Sequence, residues 1–233
     1  MATRRDYDSD PNRFRLGSQL TARHLRPGIN LHEKIAGLLA DLGMRRVLDL
    51  GCGEGALLDA LQSLCGADGP LTIGLDASAT MLSAVRPPVV RADAAAIPFR
   101  DNVFDAVVAV NVLDHLDDPL VALRSAHRVL RPAGVMVAGA ISRTDSPELA
   151  RVWCPAPTPF DAEEAPEIVA SVFGEVQVIN WDAPLLTLPD SEAIADYLIA
   201  RFVPTHLAAA HARMLPAPLT VTKRGALIMA GKS

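Results

Sequence analysis

The chain has 233 residues, half of them hydrophobic, enough for one large core in a single α/β domain over 1–233. Its net charge is −5, its basic residues are dispersed and aromatics are few, which argues against a nucleic-acid or anionic-lipid partner. Cys52, Cys65 and Cys154 show no C-x-x-C spacing, so neither a zinc site nor a disulfide framework is indicated, and a reducing cytoplasm is the expected compartment.

The first residues are charged and lack an apolar stretch, so they do not read as a signal peptide. Residues 1–27 are polar, with Arg13, Arg15, Arg23 and Arg26 among them. Together with an amphipathic helix predicted over 29–42 and ended by Gly43, they read as an N-terminal arm or lid over 1–43. Strands and helices then alternate. Strands are predicted over 46–50, 71–75, 89–92, 104–110, 134–141, 176–181 and 225–230, and helices over 56–64, 79–85, 118–130 and 162–173. The apolar runs at 107–110 and 135–141 are too short to span a bilayer and read as buried strands, so no membrane contact is expected. Near-continuous apolar strands between helices predict a parallel sheet covered on both faces. Two stretches interrupt the alternation. Residues 151–160, with Pro155, Pro157 and Pro159, read as irregular. Residues 183–222 read as an apolar, proline-punctuated insert with a helix near 191–202, placed where a sheet enzyme would build a roof over its substrate.

The run Val47-Leu48-Asp49-Leu50-Gly51-Cys52-Gly53-Glu54-Gly55 joins the first strand to the first helix of the alternation. Glycines let the chain turn tightly and let a ligand touch backbone, and a helix start offers unpaired N–H groups. With Ala56 the turn matches the G-x-G-x-x-A dinucleotide fingerprint, and Asp76 follows at the fitting distance, so a nicotinamide dehydrogenase is one reading. Asp49 and Glu54 oppose it, because two carboxylates would repel a pyrophosphate and would suit a ligand carrying an ammonium and a sulfonium. A turn-capping role for Asp49 stays open. Asp76, ahead of Ala77, ends the second strand, where a carboxylate can accept both hydroxyls of a ribose. Ser78 can cap the next helix, leaving Asp76 free. Asp93 follows the third strand, placed to accept from an adenine amino group; alone it would read as a solvated loop aspartate, but three acidic strand ends in consecutive order favour the binding role.

Residues 47–55, 74–76, 93–99, 104–119 and 128–134, in this order and spacing, resemble the class I S-adenosylmethionine-dependent methyltransferases of the small-molecule branch, strongly over 44–141 and more loosely in the closing strands. The resemblance implies a doubly wound, seven-stranded Rossmann-like sheet in the order 3-2-1-4-5-7-6 with the last strand antiparallel. It implies S-adenosyl-L-methionine as cofactor. Gly51, Cys52 and Gly53 would line its methionine part, Asp49 would reach its amino group, and Asp76 and Ala77 would lie at the ribose. Met81 would pack on the adenine, Asp93 and the Ala94 amide would bond it, and Asn111 would pass the sulfonium. The sequence departs from the family's habit at Ala133, where a glycine is common, and at Asp114. Methyl transfer needs mainly alignment of donor and acceptor. For a hydroxyl acceptor a general base helps, and His115 and Asp114 are the candidates, with His115 the better. Neither an Asp/Asn-Pro-Pro-Tyr segment nor a Pro-Cys pair follows the fourth strand, which reads Asn111-Val112-Leu113-Asp114, so methylation of nucleic-acid bases is not expected. The expected partner is a small-molecule acceptor, methylated on oxygen, nitrogen or carbon. No metal is expected, and a homodimer is compatible with the sequence. A protein that binds S-adenosylmethionine without transferring its methyl group shares the same motifs and stands as the alternative.

Overall fold

A computed structural model describes residues 10–233. Seven strands form one sheet: β1 (Arg46–Leu50), β2 (Leu71–Asp76), β3 (Val89–Arg91), β4 (Phe104–Val110), β5 (Leu130–Ile141), β6 (Val176–Leu188) and β7 (Leu219–Gly231). Their order is β3-β2-β1-β4-β5-β7-β6. β1 to β5 pair in parallel, and β7 runs antiparallel to both β5 and β6.

The central strands are apolar because both their faces are covered. Every residue of β4 is buried. Val107 and Ala109 share one core with Leu48 and Leu50 beneath α5 (Pro119–Val129) and α6 (Ala165–Phe173). Ala106, Val108 and Val110 share the opposite core with Val47 beneath α2 (Leu31–Asp41) and α3 (Ala56–Cys65). Helix starts follow local chemistry: the side chains of Asn30 and Asp118 accept backbone N–H groups of α2 and α5, and Pro119 occupies the first turn of α5. Asp105, buried in β4, accepts from the amides of Arg45 and Arg46 and pairs with Arg131, so its charge serves the sheet.

Five elements differ from the sequence reading. The polar arm is helical: α1 (Pro11–His24) starts with Asp10 accepting from the Arg13 amide and has Pro11 in its first turn. β5 begins at Leu130, ahead of 134, and Ala133 takes the left-handed backbone (φ 62°) that its turn reserves for glycine. β6 runs on to Leu188 and β7 starts at Leu219, so much of the expected insert is paired strand. Pro184 does not break β6 because β6 is an edge strand and its register shifts between Pro184 and Leu186. What remains of the insert is a helical pair, α7 (Ser191–Ala200) and α8 (Thr205–Ala212), the second of which has no counterpart in the sequence reading. Leu186, Leu188 and Val221 of the ribbon, Ile194, Tyr197 and Leu198 of α7, and Leu20 of α1 form a third core.

Candidate functional site

The glycine turn leaves β1 with three left-handed residues, Gly51 (φ 71°), Gly53 (φ 54°) and Gly55 (φ 88°). A Cβ on Gly51 would stand 2.3 Å from a methyl of Val112, so only glycine fits between this turn and the segment after β4. The amides of Gly51 and Cys52 both donate to the Leu75 carbonyl, at 2.7 and 3.0 Å, which locks the turn to the end of β2. Asp76 closes it from the other side. Its carboxylate accepts from the Gly53 amide at 2.9 Å and from the Ser78 amide at 2.8 Å. Ser78 does cap α4 (Ala79–Leu82), accepting from the Met81 amide at 3.1 Å, yet Asp76 is held by two amides rather than left free.

Asp49 is buried beside this turn, 5% exposed. Burial first, and the Asp76 charge second, push its carboxyl up to about 7. The same burial and the same two carboxylates push the Cys52 thiol far up, so Cys52 is inert packing under Gly74, where a Cβ would meet its sulfur at 2.8 Å. Met81 is buried in α4. Past β3, Asp93 is exposed and caps the turn that follows it by accepting from the Ala95 amide at 2.9 Å, while Ala94 is buried. The Arg91 guanidinium donates to the Ala77 carbonyl at 3.0 Å and ties the ends of β2 and β3 together. Past β4, Asn111 is exposed with a left-handed backbone (φ 54°). Leu113–His115 form a single helical turn in which His115 Nδ1 lies 3.7 Å from Asp114 Oδ2. All of these residues lie at or just past the carboxyl ends of parallel strands, so they share one end of the sheet.

The sequence reading missed what lies over the turn. Glu54, read there as a carboxylate available to a ligand, pairs with Arg15 of α1 at 2.7 Å. A Cβ on Gly53 would stand 3.3 Å from the Phe14 ring, so α1 lays an aromatic directly on the glycine turn. The signal was an aromatic residue in a polar segment of a chain that has six phenylalanines in all. Tyr7, which the reading of the arm as a lid also covers, lies outside the described residues. A separate cavity of about 290 Å³ opens among Ser142, Glu163, Trp181, Asp182 and Arg224, but its polar groups already pair, Ser142 with Glu163 and Arg224 with Asp182. Asp161, Glu163 and Glu164 stand close enough to share a cation, and Arg143 already sits among them.

Residues 48–138 match the family model of the methyltransferase domain. Over that segment the chain is similar to methyltransferase domains, and its fold is the one shared by S-adenosylmethionine-dependent methyltransferases. The demethylmenaquinone methyltransferase of Staphylococcus aureus is 37% identical to it over 111 residues, 43% of this chain and 46% of that protein. The chain thus spans less than half the length of the curated relatives it matches. The YcgJ protein of Bacillus subtilis shares the fold with a TM-score of 0.62 at 20% identity, over 87% of this chain and 99% of that one. The [4+2]-cyclase SpnF shares it with a TM-score of 0.58 at 16% identity, over 94% and 96%. S-adenosylmethionine is the cofactor of such methyltransferase domains, and the turn suits it. Two neighbouring carboxylates, one of them buried at the cost of a raised pKa, favour a ligand that brings positive charge, and the glycines let it approach the backbone closely. Among the described residues no helix is long and apolar enough to cross a membrane.

Proposed function

We propose that the chain transfers a methyl group from S-adenosylmethionine to a small, partly lipophilic acceptor, in the cytoplasm and within one domain. The observation that carries this reading is the pair of carboxylates, Asp49 and Asp76, closing a turn whose three glycines all have positive φ. When bound, the cofactor supplies an electrophilic methyl group on a sulfonium. The chain's own residues do the rest. Asp49 neutralises the amino group, and the backbone of Gly51, Cys52 and Gly53 borders the methionine part. Asp76 keeps lone pairs free for the ribose hydroxyls beside the two amides it already holds, next to Ala77. Met81 packs on the adenine, and Asp93, with one oxygen engaged by Ala95, turns the other to the adenine amino group near the Ala94 amide. Asn111 borders the sulfonium. For a hydroxyl acceptor, His115, whose Nδ1 lies 3.7 Å from Asp114 Oδ2, serves as the general base. α1 and the α7–α8 roof cover the acceptor.

The lipophilic acceptor is supported by the relative named for demethylmenaquinone and by the apolar core beneath the roof. Calorimetry with S-adenosylmethionine, S-adenosylhomocysteine and a nicotinamide dinucleotide tests the cofactor assignment; binding of the dinucleotide alone returns the chain to the dehydrogenases. Release of S-adenosylhomocysteine with quinol and phenol acceptors tests transfer. Tight cofactor binding with no turnover of any acceptor would leave the cofactor-binding reading in place.

A further inference from the structure

The roof presents a surface that methyl transfer does not explain. α8 is apolar on both sides. Ala208 and Ala212 point inward and are fully buried. Leu207 and Met214, about two turns apart, point outward at 39% and 53% exposure, with exposed Ala210 between them. Just before it, Phe202 is 47% exposed in a left-handed backbone (φ 67°), with the Arg13 guanidinium 4.5 Å over its ring. The charge there is one-sided as well. In an acidic protein, no aspartate or glutamate occurs from Tyr197 to Ser233. Lys223 and Arg224 are engaged by Asp145 and Asp182, while His206 and Arg213 lie exposed beside the apolar stripe.

We propose that the outer face of α8 and the turn that follows it dock on an anionic lipid membrane, with Leu207, Ala210 and Met214 entering the headgroup boundary and Arg213 and His206 meeting the lipid phosphates. Short apolar stripes edged by cations bind such surfaces, and each basic residue near an anionic leaflet adds to the attraction. A second copy of the chain fits less well. A stable protein interface covers about 800 Å² on each partner, more than one two-turn helix offers, whereas a membrane needs no matching surface. The whole-chain charge of −5 concealed this face, because it averages an acid-free end with an acidic remainder. Docking of this kind would hold the roof at the boundary where a lipophilic acceptor resides. It is read without turnover, so its failure would leave the proposed transfer reaction standing.

The test is flotation of the full chain with vesicles of phosphatidylcholine alone and of phosphatidylcholine mixed with phosphatidylglycerol. The chain is expected to float with the anionic vesicles, weakly with the neutral ones, and less as salt is raised. Leu207→Asp with Met214→Asp should lower the bound fraction by about tenfold, with melting temperature and S-adenosylhomocysteine affinity unchanged. Arg213→Glu should lower binding to anionic vesicles only. Absence of flotation, or a double variant that floats like the parent, would overturn the proposal. So would a parent dimer that the double variant dissociates while neither protein binds vesicles, which would give this face to a second copy.

Discussion

Asp76 does two things at once, and its replacement should show both. Removing the carboxylate takes away the proposed ribose partner and also strands the amides of Gly53 and Ser78. Asp76→Ala is therefore expected to weaken S-adenosylhomocysteine binding by about 1.5–3 kcal/mol and to lower the melting temperature as well, because buried donors are costly to leave unpaired. Calorimetry and thermal unfolding of the one variant separate the two losses. Asp49 gives the chain a pH signature. Folded, it keeps its proton up to about pH 7; unfolded, it gives the proton up near 3.8. Its folded pKa is raised, so without cofactor this group makes the protein less stable as pH climbs from about 4 to 7. A cofactor ammonium favours the carboxylate. Affinity should then rise by up to about tenfold per pH unit below 7, with one proton released on binding, and Asp49→Asn should flatten that slope. Titration calorimetry in buffers of different ionisation enthalpy counts the proton. His115→Ala, assayed against pH on a hydroxyl acceptor, is expected to lose about 10²-fold or more in turnover with cofactor affinity intact. A loss below tenfold would mean that alignment alone drives transfer. The site was legible at this scale as residue types at strand ends. The sequence could not say which carboxylates were already spoken for, because Arg15 reaches Glu54 from another element and the amides that hold Asp76 are fixed only once the turn has folded.

Among the elements, β1 and β4 were readable because burial on both faces leaves a mostly apolar run. The two ends of the chain were not. α1 carries one fully buried residue, Leu20, so its periodicity is faint. Across β6 and β7 the prolines suggested an insert, whereas an edge strand tolerates Pro184 at a register shift. α1 also joins two regions. Phe14 and Arg15 meet the glycine turn, while Leu20 enters the third core and Arg13 stacks on Phe202. Phe14→Ala is expected to cost about tenfold in turnover, since misplacing groups around the reacting centre is expensive. The melting temperature should change little, because this ring lies at the rim of the site rather than within the buried cores. Steady-state rates beside a thermal melt decide it. Equal turnover would remove α1 from the site.

At the scale of the whole molecule, the roof is pinned to the sheet by a buried polar cluster. Lys223 of β7 pairs with Asp145, which also accepts from Ser146 Oγ at 2.8 Å and from the Arg224 amide at 2.8 Å. Tyr197 of α7 places its hydroxyl 3.3 Å from both Lys223 Nζ and Ser146 Oγ. Lys223→Met should strand the Asp145 charge at 3% exposure and cost about 3–5 kcal/mol, read by chemical denaturation. A loss under about 1 kcal/mol would show that the cluster reorganises around a solvated aspartate. The pairing beneath the roof has a further consequence. Leu188, the last residue of β6, lies directly opposite Leu219, the first of β7. The chain therefore departs into α7 and α8 and comes back at adjacent points of one hairpin. Whatever is spliced between those points can lengthen, shorten or be exchanged without redrawing a single strand of the sheet. The helical pair is free to diversify by grafting at one seam, while the sheet and its glycine turn stay as they are.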